Sequence, residues 1–208
     1  VVEPGVINLD LDEHARGFGL RYAPDPSSQR ACSIGGNVAE NAGGPHCLAY
    51  GVTSNHILGL EIVLEDGTIT WLGAKSQRSL GYDLVGAFVG SEGMFGIVTK
   101  ILVRLLRMPE TVKTYLAIFE HMDAASKAVA AVIGNGIIPA ALEMMDNLAI
   151  RAVESARSMG YPEDAGAVLL VEVDGLREDV DEEGEDVERI CWEMGAFEVK
   201  VADDAEGR

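Results

Sequence analysis

Apolar and polar positions follow two different periods along this chain. Between residues 57 and 73, ILGLEIVLEDGTITWLG places Leu60, Ile62 and Leu64 before, and Ile69 and Trp71 after, the dipeptide Asp66-Gly67. A period of two marks strands with one buried face, and Asp-Gly is a strong two-residue hairpin signal, so this stretch predicts two antiparallel strands turning at Asp66-Gly67. Beyond residue 110 short apolar runs alternate with longer segments of period near 3.6. They predict strands at 114–120, near 140–145, at 167–173 and at 197–202, with helices at 122–133, 147–158 and 179–194. Such alternation predicts an α+β fold with helices covering one face of a sheet. Asp123, Asp146 and Asp179 stand where N-caps are wanted, and Gly134, Gly160 and Gly195 where the helices end. The third helix keeps Val180, Val187, Ile190 and Cys191 for one face.

Composition divides the chain in the same place. Sixteen of the 24 glycines precede residue 100, whereas residues 172–206 hold fifteen Asp and Glu, and the character changes near Pro109. The acidic run reads as a solvated helix face, since its apolar stripe is intact. With 208 residues, 48% of them hydrophobic, the chain can bury a core, and its net charge of −18 opposes association with nucleic acid or anionic lipid. No apolar run reaches the length of a bilayer span. Cys32, Cys47 and Cys191 lack C-x-x-C spacing and read as reduced thiols, which points to a cytoplasmic location. The start, VVEPGVINLD, carries no initiator methionine and reads as the middle of a strand and turn, so a piece of a longer protein is expected.

Two glycine-rich segments carry the candidate chemistry. In PDPSSQRACSIGGNVAENAGGPHCLAYG, residues 24–51, Gly35-Gly36 and Gly43-Gly44 bracket Asn37, Glu40 and Asn41, with Ser27, Ser28 and Ser33 upstream. Bare backbone can come within hydrogen-bonding reach of a ligand, and successive N–H groups can form an anion-binding nest, so the segment reads as a loop wrapping a flat, polar or phosphate-bearing ligand. The alternative is that these glycines serve tight turns alone. GSEGMFGIVTK, residues 90–100, repeats the pattern with Gly90, Gly93 and Gly96 before a β-branched run. Neither segment matches the dinucleotide or P-loop fingerprint. His14, His46, His56 and His121 show no metal-ligand spacing, and no metal site is expected. Asp25 and Glu40 do not form a spaced acid and base pair, and no catalytic residue can be named. Tyr50 and Tyr82 are aromatic candidates for packing near a cofactor or in the core.

The ordered strings EPG, YAPDPSS, CSIGGNVAENAGG, YGVT, LGLEIVLEDG, GYDL and FVGSEGMFGIVT resemble the FAD-linked oxidases of the vanillyl-alcohol-oxidase superfold. Within that family the likeness is to the branch of the glycolate oxidase D subunit and the D-lactate and D-2-hydroxyglutarate dehydrogenases. It is detailed over residues 1–110, implying the latter part of an FAD-binding domain, and looser over 111–208, implying the first part of a ferredoxin-like substrate, or cap, domain. The implied cofactor is FAD. By the resemblance Pro26, Ser27, Ser28, Cys32 and Ser33 line its pyrophosphate and ribityl part, and Ile34, Gly35, Gly36 and Asn37 pass beside it. Glu40, Asn41, Ala42, Gly43 and Gly44 continue the contact, with Tyr50 and Gly51 near by, and Glu92, Gly93, Gly96, Ile97 and Val98 approach through backbone. Met94 and Phe95 replace the family's usual Thr-Leu, and Ala49 replaces a frequent basic residue.

The implied reaction is oxidation of a D-2-hydroxy acid to the 2-oxo acid by hydride transfer to flavin, with companion flavin or iron–sulfur subunits as implied partners. The family's first FAD subdomain, its substrate-binding arginine and its metal-binding histidines have no counterpart here, so an inactive fragment is expected. Two other readings stay open: a non-catalytic partner-binding domain, and a related flavin reductase acting on a nucleotide sugar.

Overall fold

The computed structural model describes residues 1–74 and 81–202. The chain forms two units, Val1–Met108 and Pro109–Arg208.

The first unit contains α1 (Asn8–Arg16), β1 (Leu20–Arg21), α2 (Ile34–Glu40), α3 (Cys47–Tyr50) and a 3-10 turn at Thr53–His56. These are followed by β2 (Ile57–Val63), β3 (Ile69–Gly73), α4 (Leu84–Phe88), β4 (Ile97–Val103) and β5 (Leu106–Arg107). The predicted hairpin is present: β2 and β3 pair antiparallel from Gly59↔Gly73 to Val63↔Ile69, and the Asp66 carboxylate accepts the Thr68 N–H at 2.9 Å inside the turn. β4 pairs with the other edge of β2, giving the order β3-β2-β4. Pairing Leu60 with Leu72 turns Leu60, Ile62 and Leu72 inward, so the period of two sends Ile69 and Trp71 outward, 66% and 41% exposed. Ile34 and Val38 of α2, Val89 after α4 and Ile101 of β4 complete this core.

The second unit contains β6 (Thr111–Phe119), α5 (Met122–Gly134), β7 (Ala141–Asp146), α6 (Asn147–Ala156), β8 (Ala167–Gly175), α7 (Arg177–Glu193) and β9 (Ala196–Ala202). Its sheet runs β7-β8-β6-β9 with every neighbouring pair antiparallel, a ferredoxin-like order with α6 inserted between β7 and β8. Tyr115, Ala117, Phe119, Leu169 and Val171 face α5 and α7, which contribute Ala125, Ala128, Val132, Val180, Val187, Ile190 and Cys191. The expectation of helices on one face needs correction. Ile118 and Val168 make the opposite face apolar as well, and α6 covers it there with the fully buried Ile150.

The helix ends also differ in detail. Asp146 caps α6, accepting the Ala149 N–H at 2.8 Å, and Gly195, at φ 95°, terminates α7. Asp123 and Asp179 are not caps. His121 and Leu176 hold those positions, and the two carboxylates lie in the first turn, where they oppose the positive end of the helix dipole. Gly134 closes α5 from inside, and Gly160 lies beyond the end of α6 at Ala156. Asp203, Asp204 and Glu206 of the acidic run fall outside the described residues.

Candidate functional site

The first glycine-rich segment is anchored from α1. Asn8, 1% exposed, donates its amide hydrogen to the Pro24 carbonyl at 2.9 Å and accepts one from Asn37 Nδ2 at 2.9 Å, while its backbone N–H reaches the Cys32 carbonyl at 3.0 Å. One buried amide thereby ties together the Pro24-Asp25-Pro26 stretch, the turn at 27–32 and α2. Because a buried amide without partners is costly, these bonds also specify how the three pieces meet. Asp12, one turn further along α1, accepts the Tyr22 N–H at 2.9 Å and pairs with Arg16 at 2.8 Å.

The central part of the segment is helical, a correction to its reading as a loop. Ser33 caps α2 through its hydroxyl, which accepts the Gly36 N–H at 3.1 Å. The Ile34 N–H is taken by the Val6 carbonyl and the Gly35 N–H by the Pro4 carbonyl, each at 2.8 Å. The first N–H groups of the helix are therefore already bonded to protein, and the inward-facing nest predicted for an anion at Gly35-Gly36 is not formed. Several of the glycines serve the chain's contact with itself. A Cβ at Gly35 would lie 2.5 Å from Pro4, one at Gly44 2.4 Å from the Asp25 carbonyl, and one at Gly43 2.8 Å from Cys47 Sγ.

The second glycine segment is brought onto the first. The Gly90 N–H donates to the Val38 carbonyl at 2.8 Å and the Glu92 N–H to the Ala39 carbonyl at 2.9 Å. Between them opens a groove of about 260 Å³ walled by Pro4, Gly35, Val38, Ala39, Phe88, Ser91, Gly93, Gly96, Ile97 and Val98. Gly93 has no atom within 4 Å of where a Cβ would stand, so bare backbone faces open space there. Phe88 is braced edge-to-face by Phe95, with centroids 5.9 Å apart. Apolar walls with one hydroxyl and exposed peptide backbone suit a flat, largely apolar ring better than a phosphate. This groove fits part of FAD in that sense.

The remaining predicted residues are distributed around it. Gly36, Glu40 and Glu92 are exposed, as are Ser27 and Ser28, while Pro26 is buried. Cys32 and Ser33 are half-buried, and Ala42 accepts both the N–H and the hydroxyl of Thr53, at 3.0 and 2.7 Å. Asn41 ends α2 in a left-handed conformation, φ 52°, and its Oδ1 accepts the Ser54 N–H at 2.9 Å. Gly43, Gly44, Tyr50 and Gly51 do not line the groove; they lie along the stretch that leads through α3 to the 3-10 turn. Ile34, 0% exposed, and Asn37, 3% exposed and bonded to Asn8, put their side chains into the core. Tyr82, 92% exposed, packs in no core.

Two features escaped the sequence reading. His46 pairs with Asp25 across 21 positions, Nδ1 to Oδ2 at 2.5 Å. Asn8 gave no signal because it sits in an ordinary amphipathic helix. Electrostatically, the buried His56 donates from Nε2 to the Tyr50 carbonyl at 2.8 Å. Burial holds its pKa below the ordinary imidazole value, the Tyr50 bond opposes that shift, and the charge of Arg104 adds to it. Burial likewise pushes the Tyr22 phenol well above its usual range, which keeps it protonated.

Comparison with known proteins places this geometry. The family model described as FAD binding domain matches residues 1–73, and that described as FAD linked oxidases, C-terminal domain, matches residues 108–208. The chain is similar to the glycolate oxidase subunit GlcD of Escherichia coli, 50% identical over 203 residues, covering 98% of this chain and 41% of that protein. It is also similar to the D-lactate dehydrogenase of Anaerostipes hadrus, 33% identical over 212 residues, covering 97% of this chain and 44% of that one. Among solved structures, an alkyldihydroxyacetonephosphate synthase superposes with a TM-score of 0.84 at 19% identity, over 99% of this chain and 40% of that one, a likeness of fold.

Proposed function

The chain belongs to the FAD-linked oxidases, and from that membership we propose that it forms the central part of an enzyme oxidising a D-2-hydroxy acid, of the glycolate or D-lactate type, to the 2-oxo acid. The observation that carries this reading is the convergence of the two glycine segments on one groove through the Gly90–Val38 and Glu92–Ala39 backbone bonds. When bound, FAD supplies the acceptor for hydride leaving the hydroxyl-bearing carbon. The residues of this chain hold and shape. Val38, Ala39, Ile97 and Val98 exclude water from one side of the groove, Gly93 admits a ring close to the backbone, and the Asn8–Asn37 bond keeps α2 in place.

The name of the Escherichia coli relative as a subunit supports companion subunits as part of the proposal. The three free cysteines support a reducing, cytoplasmic setting. Because the chain spans about 41% of the length of that relative, residues 1–208 alone are proposed to hold FAD weakly and to turn nothing over.

The test compares two preparations. The full-length polypeptide carrying this chain is expected to purify with flavin absorbance that bleaches anaerobically on addition of glycolate or D-lactate, and the 208-residue chain to oxidise neither. A full-length protein without flavin, or one whose flavin ignores both acids, overturns the function. Turnover by the 208-residue chain overturns the assignment of its inactivity.

A further inference from the structure

We propose that His46 is a positioning residue for the flavin-holding segment, acting through Asp25; this rests on the reading that the glycine segments hold FAD. His46 addresses both oxygens of one carboxylate. Its ring Nδ1 lies 2.5 Å from Asp25 Oδ2, and its backbone N–H points to Asp25 Oδ1 at 3.4 Å. The two side chains are only 25% and 21% exposed, so water competes less for this pair than for one on the open surface.

Asp25 is a fixed post. It stands between Pro24 and Pro26, whose rings restrict its own backbone and theirs, and the Pro24 carbonyl is held by buried Asn8 at 2.9 Å. His46 sits immediately before α3, two residues after Gly44. Where the two stretches cross, a Cβ at Gly44 would lie 2.4 Å from the Asp25 carbonyl, so they pass backbone against backbone. The Gly44 N–H is directed away, to Cys47 Sγ at 2.8 Å. The His46–Asp25 pair is a polar tie at this crossing, between the 26–33 and 43–51 stretches that flank α2.

The experiment uses the full-length polypeptide loaded with FAD and two substitutions. His46→Leu fills similar space without a donor, whereas His46→Asn can place an amide N–H near the position of Nδ1. Flavin retention is read as a dissociation constant from recovered fluorescence, together with the flavin absorbance spectrum and the urea unfolding midpoint of the apoprotein. The expected result is that His46→Leu releases flavin about tenfold more readily, as the loss of one charge-assisted bond implies, while His46→Asn stays close to wild type. Wild-type retention in His46→Leu, or release by His46→Asn equal to that by His46→Leu, overturns the proposal. Should His46→Leu not fold, Asp25→Ala, which removes the acceptor, decides: loosened flavin supports the tie, and unchanged retention removes it. A wild-type protein that takes up no flavin overturns the cofactor reading and this inference with it, whereas flavin held equally by wild type and variants overturns this inference alone.

Discussion

Glu92 donates its backbone hydrogen to the Ala39 carbonyl at 2.9 Å while holding φ at 53°, a left-handed conformation unusual for a residue with a side chain. Left-handed backbone costs such a residue about 1–2 kcal/mol relative to glycine, and the cost is tolerated because this bond closes the groove against α2. Glu92→Gly removes the steric cost but adds chain entropy of about 0.5–1 kcal/mol, so its urea midpoint is expected within error of wild type or slightly higher. Glu92→Val, branched at Cβ, is expected to lower the midpoint by about 1–2 kcal/mol equivalent. Equal midpoints for the valine and glycine variants would show that the left-handed geometry is not required in solution.

In the second unit, Gly184 and Tyr115 make a comparable demand. A Cβ at position 184 in α7 would lie 2.0 Å from Tyr115 Oη and 2.9 Å from Cζ, although glycine in a helix interior is worth about 1 kcal/mol less than alanine. Gly184→Ala is therefore expected to destabilise, by about 1–3 kcal/mol as other overpacked cores do, despite its better helix propensity. Tyr115→Phe in the same chain removes the nearest atom and is expected to restore part of the loss. Equilibrium unfolding of the two single variants and the double variant yields the coupling; additive effects would mean that α7 moves away from β6 without difficulty.

The second unit was legible from periodicity because its strands and helices each bury one regular stripe, and the patterns around Tyr115, Leu169 and Val187 repeat without interruption. α6 was legible as a helix but not as the cover of the opposite face. That depends on Ile118 and Val168 pairing across β6 and β8, a long-range register with no local trace. Around the groove the motif strings marked the two segments that meet there, and the fold adds what they did not carry, that Gly35 and Gly44 also pass close against Pro4 and Asp25. Glycine composition cannot say whether the close neighbour is a ligand or the chain itself. The His46–Asp25 and Asn8–Asn37 pairs join residues 21 and 29 positions apart, and only the fold brings them together.

The three thiols are expected to differ in reactivity. Cys191 is fully buried in the α7 stripe, and burial, with the charge of Glu188 adding to it, pushes its pKa up to about 11. A thiol that is neutral and enclosed does not meet an alkylating reagent, whereas Cys32 and Cys47 are half-buried and accessible in part. Titration of the native protein with a maleimide near neutral pH should modify Cys32 and Cys47 and leave Cys191 until denaturant is added. Peptide mapping of the products identifies each site, and early modification of Cys191 would show that α7 detaches from the sheet in the native state.

His56 gives the first unit a pH dependence whose sign follows from its environment. Its ring is buried and its pKa is lowered, chiefly by desolvation, so the folded state holds the neutral form more tightly than the unfolded chain does. Above the ordinary imidazole value of about 6.5 both states are neutral and the full stability is present. As pH falls through that value the unfolded chain binds a proton that the folded one refuses, and stability declines until the lowered folded value is passed. One such group limits the slope to about 1.4 kcal/mol per pH unit. Urea unfolding followed between neutral and mildly acidic pH should show this decline. His56→Gln, which can still donate to the Tyr50 carbonyl but does not titrate, should flatten the part of the curve just below the imidazole value. A curve of unchanged slope in that variant would assign the decline to other groups.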